Sequence, residues 1–279
     1  MLFFAGAIIV AVANPSAGTP SPTLVAVRLY TPTTISGALP VVPSSAPSLA
    51  PVSPQATAST MGGLTRAKLA TVAIIVPVES DPGHIVSGSG SIITHEGHIL
   101  TNRHLFYDDT GAAYNNQGDI YIAILTPDDL KGEAQIRYRA KPVQMIQAED
   151  LALIRITSLA DGSPLPSDLG LSVIPIGDSK QLDSGDELTI LGYPGLGGNS
   201  LTLTSGKVAG FIEAEHWIKT DAEINPGNSG GPALNAANKQ IGVASATNTG
   251  QKVTGKLGLI RDILYAQPLI ELARSEAGE

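Results

Sequence analysis

A serine in the segment INPGNSGGPALN, residues 224–235, lies among glycines. Gly227, Gly230 and Gly231 surround Ser229, although every glycine carries a backbone entropy cost on folding. One interpretation of this pattern is a tight turn. The other is a backbone bent so that amide N–H groups converge beside the serine oxygen, which is the arrangement that acyl transfer needs.

A serine nucleophile needs a base that takes its proton and a third group that orients the base. His104 follows GHILTNR at the end of a predicted strand, where the sheet fixes a side chain that can face a cleft. Asp150 stands directly before the apolar strand LALIRI, where a carboxylate is costly unless it pairs with a donor such as a histidine N–H. His104 and Asp150 are therefore the candidates for the base and the orienting group of Ser229.

The remaining histidines are not expected to take part in chemistry. His95 and His98 in THEGHIL have the residue type of a metal motif, but their spacing does not suit a helical zinc site. Glu96–Gly97 between two predicted strands indicates a hairpin turn instead. His84 and His216 are interpreted as surface or packing residues.

The loop FYDDTGAAYNNQGD after His104 carries the acidic residues Asp108, Asp109 and Asp119. Carboxylates of this kind bind calcium, but acidic residues scattered along a loop are more often solvated. We therefore predict no metal site in this loop, and nothing in the sequence calls for a cofactor.

The chain from residue 68 onward consists of short β-branched runs separated by glycine, proline, asparagine and aspartate. Two groups of such runs are joined by the segment SLADGSPLPSDLGLS. The pattern predicts an all-β fold with two six-stranded antiparallel β-barrels, at about residues 62–158 and about 171–264. A short C-terminal helix is predicted at about residues 267–276, because leucine and isoleucine recur there at helical spacing after a proline.

The N-terminal part of the chain differs in composition from the rest. Residues 1–13, MLFFAGAIIVAVA, form an apolar run with an A-x-A pattern at its end but no lysine or arginine before it. This run is interpreted as a signal peptide or as a truncated membrane anchor that tethers the protein. Residues 14–61 are rich in proline, serine and threonine, which predicts a disordered linker. Residues 62–279 are then the folded domain, and both interpretations place it outside the cytoplasm.

The composition narrows the classes of function. The chain has no cysteine, which excludes disulfides, zinc thiolates and a thiol nucleophile. Its net charge of -8 disfavours nucleic acid as the main partner.

Several stretches of the sequence resemble a known family. SGSGSIITHEGHILTNRHL, EDLALIRI, IGDSKQLDSGDELTILGYPG and IKTDAEINPGNSGGPALN are similar to blocks of chymotrypsin-fold, trypsin-like serine peptidases of the HtrA/DegP type. The resemblance covers about residues 68–275, and the order of His104, Asp150 and Ser229 is that of chymotrypsin-type enzymes. It implies a serine endopeptidase that hydrolyses peptide bonds of exported or unfolded proteins through an acyl-enzyme. The alternative is a catalytically silent peptide-binding module of the same fold.

The resemblance implies a role for particular residues. Ser229 would attack the scissile carbonyl, and His104 would act first as base and then as acid. Asp150 would hold the imidazole tautomer and stabilise its cation. The backbone N–H groups of Gly227 and Ser229, with Asn228 between them, would form the oxyanion hole.

The resemblance also implies a substrate pocket that includes Glu223, Ile224 and Ser245. Ser245 matches the strand that lines the primary pocket and is a candidate hydrogen-bond partner of Asp150. Glu223 would favour a basic substrate side chain if it lay at the pocket base, whereas a Glu223 that points to solvent would leave an aliphatic pocket. We prefer the second alternative, because a buried carboxylate without a partner is costly.

The sequence departs from the family pattern in two respects. Proteins of the HtrA type usually carry a PDZ domain after the protease, and none is predicted here, which leaves the oligomeric state open. Asn228 occupies the position of an aspartate that pairs with a newly cut N-terminus in digestive relatives. We therefore expect any regulation to act through loop order instead of cleavage of a pro-segment.

Overall fold

A computed structural model describes most of the chain from residue 62 onward. The described residues are 62–81, 83–108, 110–116, 118–194, 200–245 and 257–279. The predicted N-terminal apolar run, 1–13, and the predicted linker, 14–61, lie outside them. Among the described residues, no helix is both long enough and apolar enough to span a membrane.

The first barrel is built from β-branched and aliphatic segments of the first half of the domain. Its strands are β1 (Thr71–Pro77), β2 (Ile85–Ile92), β3 (His98–Asn102), β4 (Ile120–Ile124), β5 (Gln135–Ile146) and β6 (Leu151–Leu159). They close in the order β1-β2-β3-β6-β5-β4, and all neighbouring strands are antiparallel. The barrel interior is filled by fully buried side chains, which include Val72, Ile74, Ile92, Ile99, Ile122 and Ile154.

The second barrel repeats this architecture. Its strands are β7 (Glu187–Gly192), β8 (Thr202–Ile212), β9 (Trp217–Thr220), β10 (Pro232–Asn235), β11 (Gln240–Ser245) and β12 (Gly258–Asp262). They close in the order β10-β11-β12-β9-β8-β7. Its core contains Leu188, Ile190, Ile218, Ile241 and Ile260. The predicted fold class, two six-stranded antiparallel barrels, is confirmed.

One helix was not predicted from the sequence. This helix, α1 (Gly63–Ala70), precedes β1 and buries Leu69 and Ala70, which lie in the part of the chain from residue 68 onward that was predicted to consist of β-strands. The strand β12 is only five residues long and ends in charged residues, so it carries no clear alternating pattern. It is nevertheless essential to the barrel, because it closes the sheet between β11 and β9.

The predicted C-terminal helix is present as α2 (Gln267–Ala277). A proline at its first turn suits a helix start, and Gly278, with φ 77°, ends it in the left-handed conformation. The helix packs in a cluster with β3 and β6 of the first barrel, formed by Leu100, Leu151, Leu153, Leu269, Ile270 and Ala273. The C-terminal segment thus covers the two strands whose ends carry His104 and Asp150.

The side chain of His98 joins β3 to α2. This residue is buried, with Nδ1 2.7 Å from Thr94 Oγ1 and Nε2 2.9 Å from Glu276 Oε2. The guanidinium of Arg155 lies 3.4 Å from the same Glu276 oxygen. The hydrogen bond from His98 is the main cause that lowers the pKa of Glu276, followed by the nearby charges, while partial desolvation opposes them.

We expect Glu276→Gln to weaken the fold in a pH-dependent way. The folded-state pKa of Glu276 is below its ordinary value of 4.5, so the ionised carboxylate stabilises the fold above that value. This stabilisation is lost as the pH falls through the folded-state pKa. Thermal unfolding across pH should show a lower Tm for the variant at neutral pH and a shallower decline in Tm as the pH falls below 4.5. Glu271→Gln, at an exposed position of the same helix, is the control. An unchanged pH profile in Glu276→Gln would contradict the assignment.

Candidate active site

The pairing of β3 with β6 brings His104 and Asp150 together. Asn102, the last residue of β3, lies opposite Leu151, the first residue of β6. His104 belongs to the 3₁₀ turn Arg103–Leu105 directly after β3, and Asp150 directly precedes β6. The antiparallel register therefore places the two residues side by side at one end of the first barrel.

The carboxylate of Asp150 contacts His104 at two points. Its Oδ2 lies 2.6 Å from His104 Nδ1, and its Oδ1 accepts the His104 backbone N–H at 2.8 Å. Both side chains are about a quarter exposed. An ionised carboxylate only accepts hydrogen bonds, so Nδ1 carries the ring proton and Nε2 keeps the lone pair that a base needs.

The backbone of Asp150 is held in a conformation that few non-glycine residues adopt. Its φ of 53° and ψ of 39° lie in the left-handed region, which costs about 1 kcal/mol or more. Its carbonyl accepts hydrogen bonds from the Arg103 N–H at 3.1 Å and from Asn102 Nδ2 at 2.9 Å. These contacts fix the turn from the side of β3.

Ser229 lies in the second barrel and is held by a strand of the first. The N–H of Ser89, on β2, donates to the carbonyl of Ser229 at 2.8 Å. The hydroxyl of Ser89 donates to the carbonyl of Gly227 at 2.7 Å and accepts the Tyr193 N–H at 2.8 Å. Ser229 itself is only 5% exposed. Ser89 was not among the predicted site residues, and the only sequence signal for it is its place between glycines in SGSGS.

The glycines around Ser229 lie where a side chain would collide with neighbouring atoms. Gly227 and Gly230 have φ values of 96° and 86°, which side chains rarely adopt. A Cβ on Gly227 would lie 2.5 Å from the Tyr193 carbonyl oxygen, and a Cβ on Gly230 would lie 2.1 Å from the Ser89 carbonyl oxygen. The segment is also a tight turn, because Asn228 N–H donates to the Asn225 carbonyl at 2.9 Å. This bond occupies the Asn228 amide.

The predicted pocket residues lie in the second barrel. Glu223 is exposed, and its Oε1 accepts a hydrogen bond from Asn225 Nδ2 at 3.2 Å. Ile224 packs on Gly258, where a Cβ would lie 2.7 Å from Ile224 Cδ1. Ser245 is buried at the end of β11 and pairs with β12.

Two of the three acidic residues singled out in the loop after His104 are engaged with protein partners. Asp108 Oδ1 accepts hydrogen bonds from Thr110 and Ala112, and the Thr110 hydroxyl is the main cause that lowers the pKa of Asp108. Asp119 Oδ2 lies 2.6 Å from Arg139 Nη1, whereas Asp109 is outside the described residues. Within the described ranges, no group of three or more histidine, aspartate or glutamate side chains is placed to hold a metal ion.

Comparison with known families agrees with a double barrel of this kind. Residues 88–243, more than half of the chain, match the trypsin-like peptidase domain. The chain therefore belongs to the family of trypsin-like peptidases. The matched range includes His104, Asp150 and Ser229.

Curated relatives carry protease names. The chain is similar to a "Probable periplasmic serine endoprotease DegP-like" of Chlamydia trachomatis, with 31% identity over 193 residues, 67% of this chain and 33% of the relative. It is also similar to a "Putative serine protease HhoA" of Synechocystis sp., with 34% identity over 167 residues, 57% of this chain and 36% of the relative. The chain thus spans about a third of the length of the curated relatives it matches.

Proposed function

We propose that this chain is a serine endopeptidase in which Ser229 is the nucleophile, His104 the general base and Asp150 the group that orients the base. The observation that carries the proposal is the two-point contact of the Asp150 carboxylate with His104, at 2.6 Å to Nδ1 and 2.8 Å to the backbone N–H. Contact at two points fixes both the ring orientation and the tautomer. A histidine that only filled space would not need either constraint.

The reaction begins when a polypeptide carbonyl reaches Ser229. His104 Nε2 takes the hydroxyl proton as Oγ attacks the carbonyl carbon, and Asp150 stabilises the imidazolium that forms. The imidazolium then gives its proton to the leaving amine, so that the peptide bond breaks and an acyl-enzyme remains. Water, deprotonated by His104, attacks the ester, and return of the proton to Ser229 Oγ releases the new carboxylate.

The oxyanion of each tetrahedral intermediate is assigned to the backbone N–H groups of Gly227 and Ser229. The turn is compatible with this assignment, because the intervening Asn228 N–H already donates to the Asn225 carbonyl and is therefore not assigned to the oxyanion. Ser89 holds the turn from the first barrel through its bonds to the Gly227 and Ser229 carbonyls. Fixed donors of this type are effective because they need no reorganisation during the reaction.

The substrate is a polypeptide with an aliphatic residue before the cleaved bond. Glu223 is exposed, and the half-buried Ile224, five residues before Ser229 in the chain, offers an apolar side chain. Unfolded or exported proteins present such side chains in accessible segments. Relatives named periplasmic and the apolar run at residues 1–13 support a place outside the cytoplasm.

The test uses the full 279-residue chain and a serine-reactive fluorophosphonate probe. We expect the parent to be labelled and to cut casein, mainly after aliphatic residues. Ser229→Ala should abolish labelling, and His104→Ala should slow it by at least about 10³-fold, because the base is lost.

The catalytically silent peptide-binding module makes the opposite prediction. A folded parent that binds casein but is neither labelled nor able to cut it would favour that function. Mass spectrometry of the casein fragments adds a separate test of the pocket, since cleavage mainly after lysine or arginine would contradict the aliphatic assignment.

A further inference from the structure

The two barrels contain matching turns that meet at their interface. In the first barrel, the 3₁₀ turn Gln147–Glu149 ends in Asp150, which has φ 53°. In the second, the 3₁₀ turn Glu213–Glu215 ends in His216, which has φ 62°. The sequences IQAED and IEAEH show the same correspondence. Each turn joins a long strand to the next, so the left-handed residue occupies the equivalent place in both barrels.

The residue before Asp150 connects these two turns. Glu149 Oε1 lies 2.9 Å from Nδ1 of His216, and Glu149 Oε2 lies 3.0 Å from Nη1 of Arg261 on β12. The side chains of Glu149 and Arg261 are only 14% and 6% exposed. The Glu149 carboxylate of the first barrel is thus held between His216 and Arg261 of the second barrel, an arrangement that we call the Glu149 clamp. Glu149 directly precedes Asp150, the proposed orienting aspartate, in the chain.

The partners of Glu149 are themselves rigidly held. Arg261 donates to the Glu215 carbonyl at 2.6 Å, and its guanidinium lies 3.6 Å from the centre of the Trp217 ring. The imidazole of His216 stacks on Tyr265, with ring centres 3.5 Å apart and planes at 11°. An aromatic ring stacked on each of these two side chains restricts its rotation. The second barrel therefore holds the side chains of His216 and Arg261 in place where they contact Glu149.

Burial of the Glu149–Arg261 ion pair costs desolvation free energy, so stability alone does not explain the pair. Two desolvated charges often contribute less than apolar residues of the same volume, but they fix one geometry in preference to others. Burial lowers the pKa of the Arg261 guanidinium, while the charges of Glu149 and then of Asp150 oppose that effect.

We propose that Glu149 and Arg261 form a positioning pair. The pair holds Asp150 in its orientation toward His104 and fixes the position of the first barrel relative to the second. The contacts of Asn102 and Arg103 fix the Asp150 carbonyl from one side, and the Glu149 clamp fixes the turn from the other. Without the clamp, the left-handed conformation of Asp150 loses part of its support, and its carboxylate moves away from Nδ1. The kinetic consequence rests on the proposed function.

The first measurement compares turnover in Glu149→Gln and Arg261→Met with that of the parent. We expect kcat to fall on the order of 10- to 100-fold with KM unchanged, because a small misplacement near the reacting groups affects the transition state more than binding. Arg261→Lys, which retains a cation, should recover part of the loss. The double variant Glu149→Met/Arg261→Met removes both buried charges together and leaves no unpaired charge, so we expect it to fold even if a single variant does not. It should show the same loss of kcat.

Arg155→Met is the matched control. It breaks another arginine–glutamate pair, the 3.4 Å contact between Arg155 within β6 and Glu276 on α2. It should lower Tm without lowering kcat. If the Glu149 and Arg261 variants lose kcat only in proportion to folded protein, as judged by Tm and active-site titration, their role is structural and the positioning role is wrong.

A second readout does not need enzymatic activity. The proton on His104 Nδ1, shared with Asp150, should give a far-downfield ¹H NMR signal that is present in the parent and absent or shifted in the double variant. An unchanged signal in the folded double variant would overturn the positioning role. If the parent shows the signal but no fluorophosphonate labelling, the proposed function fails while the positioning of Asp150 is still decided by this comparison.

Discussion

Asp150→Asn should lower kcat/KM by about 10⁴-fold while leaving the barrels folded. Asparagine has nearly the same shape, so its oxygen can still accept one of the two hydrogen bonds from His104. Its NH₂ group is a donor, however, so at the other position it faces a second donor, either the backbone N–H or the Nδ1–H of His104. The imidazole must turn or change tautomer, and in either case Nε2 ceases to act as a base toward Ser229. The measurement is kcat/KM on a peptide derived from a casein cleavage site.

Asp119→Asn provides the matched control for this variant. Asp119 belongs to the same barrel, is 26% exposed at its side chain compared with 25% for Asp150, and makes an equally short contact, 2.6 Å, to Arg139. Loss of this carboxylate should lower Tm without a change in kcat/KM. An Asp150→Asn enzyme that retains a tenth of the parental kcat/KM would show that Asp150 does not orient the base.

The proposed triad was selected from the sequence by the order of its members along the chain and by the resemblance of their flanking segments to a known family. His104 and Asp150 stand next to strands with clear apolar patterns, and Ser229 stands among glycines whose φ values and close contacts only glycine satisfies. The register of β3 against β6 then follows from burial of both strands. Local pattern was sufficient to select these residues, although pairing of β3 with β6 and contact between the barrels position them.

The groups that support the triad could not be predicted in this way. Ser89 contacts Gly227 across 138 residues of sequence, and Arg261 reaches Glu149 from a strand of five residues. His216 was interpreted as a surface or packing residue. It packs on Tyr265, which follows the last strand of its own barrel, and its bond to Glu149 appears only once the two barrels meet. Such contacts depend on tertiary packing, which leaves no periodic mark in the sequence.

The proposed oxyanion hole gives the second large effect, through Gly227→Ala. A Cβ at this position would lie 2.5 Å from the Tyr193 carbonyl oxygen and 2.7 Å from Pro194 Cα, both of them backbone atoms. The peptide must therefore shift, and the Gly227 N–H turns away from the place that the oxyanion would occupy. Loss of one such donor lowers kcat by about 10²- to 10³-fold. We expect this loss in kcat with a small change in KM.

Gly185→Ala separates the backbone strain from the loss of the donor. Gly185 has φ 100°, close to the 96° of Gly227, but a Cβ there would meet nothing within 4 Å. Both variants force alanine into the left-handed region, at a cost on the order of 1 to 3 kcal/mol in the free energy of unfolding. Only Gly227→Ala also displaces the turn that Ser89 holds. Chemical denaturation should therefore show the strain in both proteins, and single-turnover acylation should be slow in Gly227→Ala alone. Equal acylation rates in the two variants would mean that the Gly227 amide does not contact the oxyanion.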